Sequence, residues 1–196
     1  SKRSSDGIVF SIASKSPIFK KLCMIQFLYF PTLVTIPTHI AVHGTDLGMS
    51  QTKAAFLLSA IGAASVIGRL SVGFFLDKIG GKKSYLFCFT PILISLLIFI
   101  FTTNHVILFI FVSLYGFAHG ALFVVVSPTI AEYFGLRDHA SLFGIIVFCG
   151  TVGGAIGPIL AGGIFDLTES YNLAFITLFT LVTLSTIVVL TLPERK

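Results

Sequence analysis

Six continuous apolar stretches, at about 22–43, 54–76, 84–103, 106–130, 141–165 and 173–192, limit what this chain of 196 residues can fold into. Each is close to the ~20 residues that carry an α-helix across ~30 Å of hydrocarbon. A membrane β-barrel would instead show alternating segments of about 10 residues. Only 11% of the residues are charged, against about 25% in an ordinary soluble domain, and the mean hydropathy is +1.00. The expected fold class is therefore an all-α integral membrane protein with six transmembrane helices. Residues 1–20 read as a polar lead-in or linker, 21–193 as the six-helix bundle and 194–196 as a short tail.

Six crossings return the chain to its starting side, and the basic residues choose that side. Segments 1–21, 77–83, 131–140 and 193–196 hold eleven Lys and Arg, whereas 44–53, 104–105 and 166–172 hold only Lys53. Positive charge concentrates in cytoplasmic loops, so both termini are expected in the cytoplasm of a multi-pass protein, most simply of the plasma membrane. The same asymmetry accounts for the net charge of +5 without nucleic acid as a partner. Cys23, Cys88 and Cys149 lie inside apolar runs and read as small buried hydrophobes. No cleavable signal peptide precedes the first run, and a start at Ser1 without Met reads as a processed or partial chain.

Arg69 is the residue that asks for a function. A charge at membrane depth costs roughly 2.5 kcal/mol or more on insertion scales, so it is kept for a partner or a task. Ser59, Gly62, Ser65, Arg69 and Gly73 recur at helical spacing and place it on one face of small and polar residues. The functional reading makes Arg69 a bidentate contact for a substrate carboxylate; the structural one makes it half of an ion pair, or a side chain snorkelling to the surface. In the fourth run, Tyr115 and His119 share a face, and His119 is a candidate for substrate contact and for proton coupling. Its alternative is a neutral core histidine. Tyr29 and His39 in the first run are candidate cavity residues beside Pro31 and Pro37; Thr32 and Thr35 on that face satisfy their own helix equally well. Gly116 and Gly120, and Gly153 and Gly157, have the spacing that lets helices approach closely, and Pro158 removes a backbone donor and is expected to kink its helix. Toward the cytoplasm, Gly73, Asp77, Lys78, Gly80 and Lys82 form a basic turn that serves as a gate latch or simply as an orientation signal. Glu132 and Arg137 are expected to join Asp77 in a charge cluster.

The run Gly73-Phe74-Phe75-Leu76-Asp77-Lys78-Ile79-Gly80-Gly81-Lys82-Lys83 resembles the loop signature G-x-x-x-D-[RK]-x-G-[RG]-[RK]-[RK] of the major facilitator superfamily. Gly153-x-x-x-Gly157-Pro158-x-x-x-Gly162-Gly163 is similar to that family's Gly-Pro helix motif, and the order of the six runs matches its C-terminal half. Within the superfamily the chain looks most like monocarboxylate transporters and oxalate/formate antiporters, on Pro31-Thr32, Gly68-Arg69-Leu70 and Tyr115-Gly116-Phe117. The resemblance implies half of a secondary transporter that works by alternating access, with Arg69 at the position contacting an organic anion and Gly73, Asp77 and Gly80 in a cytoplasmic latch. It also implies a missing N-terminal half of six helices. Ser65 stands where monocarboxylate transporters often carry an acid, and 141–165 lacks the lysine of the oxalate type. The alternatives are a non-transporting sensor or receptor on the same fold, and an inactive fragment or assembly subunit. No phosphate loop, metal spacing or nucleophile elbow is visible, so neither an enzyme nor a cofactor is expected.

Overall fold

The computed structural model describes residues 7–194, with the side chain of Asp77 left outside the described set. It contains α1 (Phe10–Ala13), α2 (Pro17–Asp46), α3 (Gln51–Ile79), α4 (Gly81–Phe101), α5 (His105–Phe134), α6 (His139–Thr168) and α7 (Asn172–Leu190). Helices α2 to α7 are each long and apolar enough to cross a membrane. The chain is a multi-pass integral membrane protein.

All six of these helices begin before their apolar runs, and α2, α3, α5 and α6 also outlast them, because local chemistry rather than hydropathy sets the ends. Ser16 accepts a hydrogen bond from the Phe19 amide and is followed by Pro17, Ser50 accepts from the Lys53 amide, and Asn104 accepts from Val106 and Ile107. These caps satisfy amides that a helix start leaves unpaired. The expected turn at 77–83 shrinks to Gly80, whose φ of 79° ends α3 and starts α4 at once. Only glycine takes that conformation without strain. The prolines at 31, 37, 128 and 158 all lie within continuous helices.

Two close-packed parallel pairs organise the bundle. In the α3/α5 pair, Gly68 meets the Phe117 carbonyl, Gly120 meets the Ser65 backbone, and a Cβ placed on Gly116 would fall 2.7 Å from the Ile61 Cα. In the α2/α6 pair, Gly153 lies on Phe27 and Gly157 on Pro31 and Thr35. The expected glycine contacts thus exist, and their partners are α3 and α2. Without a hydrophobic drive between helices in lipid, such backbone approach is a main source of association. Helix α4 packs on α5 and α7, and α7 on α2. Around α2 and α4 the core holds Tyr29, Tyr85 and Phe89, with ring centroids 5.2–6.1 Å apart.

The lead-in is more than a linker. Ile8 donates to the Phe134 carbonyl, and the Phe10 amide to Asp138 Oδ2 at 2.7 Å, which fastens residues 8–10 beneath the α5–α6 turn. At the same end Tyr133 donates to the Pro193 carbonyl, Lys21 to the Thr191 carbonyl, and Lys82 pairs with Glu194 at 3.2 Å. Both described ends of the chain therefore lie at one end of the bundle.

Candidate functional site

Arg69 sits two thirds of the way along α3 and is exposed. Its guanidinium carbon lies 5.5 Å from the centroid of the Phe123 ring on α5, a cation–π contact. Among the described residues it has no carboxylate partner, so the ion-pair reading finds no support there. Ser59, Gly62 and Gly73 are exposed beside it, and an added Cβ at Gly62 or Gly73 would meet nothing within 4 Å. Ser65 departs from the expected face: it is 6% exposed and turns into the α5 seam opposite Gly120. Four positions share an open strip, and the fifth serves packing.

Phe123 ties Arg69 to three other helices. Its ring is 5.3 Å from the His119 ring and 6.4 Å from that of Phe30 on α2, and Phe30 in turn touches Gly150 and Gly154 of α6. His119 is half-buried, and its Nδ1 is buried without a partner among the described residues. Tyr115, one turn earlier, donates its hydroxyl to the Thr32 carbonyl at 2.9 Å and fixes α5 against α2. The result is a basic centre with an aromatic floor and an unpaired imidazole nitrogen, drawn from α2, α3, α5 and α6. Such a floor sets an apolar aromatic surface beside a positive charge. Phe30 and Phe123 escaped sequence reasoning because one Phe among 21 carries no signal of its own.

Two candidates leave this site. Tyr29 was expected in a cavity, but it is 1% exposed and packs on Tyr85 and Phe89, on the core side of α2. One residue of helical rotation separates it from Phe30, and that step moves it from one side of α2 to the other. His39 lies toward the other end of α2, where Nε2 is 3.2 Å from the Pro158 carbonyl and Nδ1 3.1 Å from the Tyr171 hydroxyl. The carbonyl can only accept, so Nε2 carries the proton and Tyr171 donates to Nδ1. Burial, and then Asp46 and Asp166, push the Tyr171 phenol above its usual pKa and keep it a donor. Both nitrogens of His39 are thereby used within the bundle.

At the end that holds the chain termini, Glu132 Oε2 accepts the Gly81 amide at 2.8 Å, a carboxylate capping the positive end of α4. Lys78 and Lys82 line the same small polar cleft with Glu132 and Glu194. Arg137 makes no ion pair among the described residues, so the expected cluster is rearranged: Lys82 is paired by Glu194, from the tail. The Asp77 side chain, and with it the central member of that cluster, falls outside the described residues.

Such a bundle, with a cation that has no carboxylate partner among the described residues on an open face between packed helix pairs, is one half of a membrane carrier fold. A family model for the Major Facilitator Superfamily matches residues 22–196, and the chain belongs to that superfamily. It is 34% identical over 151 residues to Monocarboxylate transporter 7 of Homo sapiens, covering 75% of this chain and 28% of that protein. To Monocarboxylate transporter 13 of Rattus norvegicus it is 30% identical over 183 residues, covering 88% and 43%. The chain thus spans less than half the length of these relatives. Among solved structures, the transporter FucP in its outward conformation superposes with a TM-score of 0.75 at 18% identity, covering 92% of this chain and 44% of that one. The nucleoside transporter NupG gives 0.71 at 23%, covering 91% and 45%. At such identity these two speak for the fold alone.

Proposed function

We propose that this chain is the C-terminal half of a secondary transporter that carries a small organic anion, such as a monocarboxylate, by alternating access. The observation that carries the reading is Arg69, a positive charge on an exposed strip of a membrane helix, over Phe123 and with no carboxylate partner among the described residues. Facing a second six-helix bundle, that strip becomes one wall of a midplane cavity, the usual location of such sites. Arg69 binds the carboxylate, Phe123 and Phe30 receive the apolar body, and the unpaired Nδ1 of His119 accepts the coupled proton. Gly73, Asp77, Lys78 and Gly80 form the cytoplasmic latch, with Glu132 and Lys82 beside it. Both termini face the cytoplasm, and the membrane is the plasma membrane.

The test is uptake of labelled lactate, pyruvate, formate and oxalate into proteoliposomes, with the complete protein beside the six-helix chain alone. The complete protein is expected to accumulate at least one of these acids, and the isolated chain, lacking one wall of the pathway, none. Failure of the complete protein with all four would remove the carboxylate from the proposal, and counterflow by the isolated chain would show that no second half is needed.

A further inference from the structure

The chain has 3 Cys and 2 Met, and three of these five sulfur side chains meet at one place. Cys23, Met24 and Cys149 line a shallow cleft of about 310 Å³ between α2 and α6, and Phe27, Phe148 and Val152 complete its lining. The backbone explains the meeting. Gly153 lies on Phe27 in the seam of this parallel helix pair. One turn back along each helix stand Cys149 and Cys23, so the seam brings the two thiols to the same level. They lie within hydrogen-bonding reach of one another. Both are free and half-buried, and Met24 is exposed beside them, so the expectation of small buried hydrophobes fails at this pair. It holds for Cys88, which is 0% exposed.

The chemistry of the lining is selective. It offers sulfur and apolar groups and no side-chain oxygen or nitrogen, so a hard cation finds no ligand. Structural zinc takes four ligands, and among the described residues no three His, Cys, Asp or Glu side chains are grouped to hold a metal ion. Thiolate and thioether sulfur select soft ions such as Cu(I), which two or three ligands satisfy. The Phe27 and Phe148 rings can flank a weakly hydrated cation. Cys23 is also reachable from the rim, since it stands about 9 Å along the axis from the start of α2 at Pro17. Lys20, exposed one turn before Cys23, sets a positive charge near the thiols.

We infer that this cleft binds one soft monovalent cation, Cu(I) or its analogue Ag(I), between the Cys23 and Cys149 thiolates, with the Met24 thioether as third ligand. Each thiol gives its proton to water as its sulfur–metal bond forms, and no oxidation state changes. Two thiolates and one monovalent ion leave a single negative charge, which Lys20 offsets. The cleft shares no residue with the Arg69 site, so the inference stands apart from the organic-anion reading.

The test keeps the complete protein reduced and anaerobic in detergent and titrates Cu(I) against a chromogenic Cu(I) chelator. The wild type is expected to retain one equivalent more than the double variant Cys23→Ser/Cys149→Ser. Either single variant should weaken the site about 100-fold or more, since loss of an outer-shell partner alone costs about 10–100-fold. Cys88→Ser should bind as the wild type does, and excess Zn(II) should not compete. Melting curves check that the variants keep their fold. Copper-edge X-ray absorption of the wild type at one equivalent, which depends on no variant, should show two or three sulfur neighbours and no nitrogen or oxygen. The inference is overturned if the wild type retains no more Cu(I) than the double variant, or if Cys88→Ser loses the site as Cys23→Ser does. Displacement by Zn(II), or nitrogen or oxygen in the copper shell, would overturn it equally.

Discussion

Arg69→Gln in the complete protein should reduce the initial rate of organic-anion uptake by at least about 30-fold while leaving insertion and melting temperature nearly unchanged. The separation follows from what Arg69 touches. Within the bundle it makes one cation–π contact with Phe123, worth about 0.5–1 kcal/mol at an exposed position. A bound carboxylate, by contrast, takes two parallel charge-assisted bonds from the guanidinium fork; losing these removes about 2 kcal/mol or more, which is the stated factor in rate. Arg69→Lys should fall between the two, because the charge returns without the fork. Uptake that survives Arg69→Gln would make the residue structural.

Gly120→Val should destabilise the bundle by about 3 kcal/mol, near the upper end of what overpacking usually does. An added side chain there strikes the Ser65 backbone, and one at Gly68 strikes the Phe117 carbonyl; neither is a flexible group that can swing away. Helices α3 and α5 must separate along their whole seam. Gly62→Ala lies on the same helix α3 with nothing within 4 Å of the new methyl, so it should be neutral or stabilise by up to about 1 kcal/mol through helix propensity. Thermal unfolding of the purified chain in detergent measures both. Equal melting points for Gly120→Val and Gly62→Ala would contradict the packing described.

The six crossings were legible because bilayer thickness translates directly into run length, and the close contacts because small residues four apart have few other uses in a membrane helix. Which helix each glycine meets was not, since spacing describes one surface and a contact needs two. Arg69 stood out as a charge, whereas its aromatic floor did not, because Phe30 and Phe123 come together from different helices. The misplacement of Tyr29 has a similar cause. Tyr29, Thr32 and Thr35 do fall on one side of α2, but that side is buried against the bundle, and the pattern of a single helix does not say whether a polar side meets a neighbour or a cavity. At the helix ends, the Lys82–Glu194 and His39–Tyr171 contacts join residues more than 100 positions apart, beyond the reach of any local motif.

The most direct measurement of alternating access around Arg69 is two-sided labelling of single cysteines at Gly62 and Gly73, with Cys23, Cys88 and Cys149 replaced. Both glycines share the exposed strip with Arg69, on opposite sides of it along α3, and each has room for the new side chain. With an impermeant thiol reagent on one side of the membrane, the two positions of the complete protein should label reciprocally, and added substrate should shift the balance between them. Labelling of both from one side at once, unchanged by any organic anion, would contradict the account.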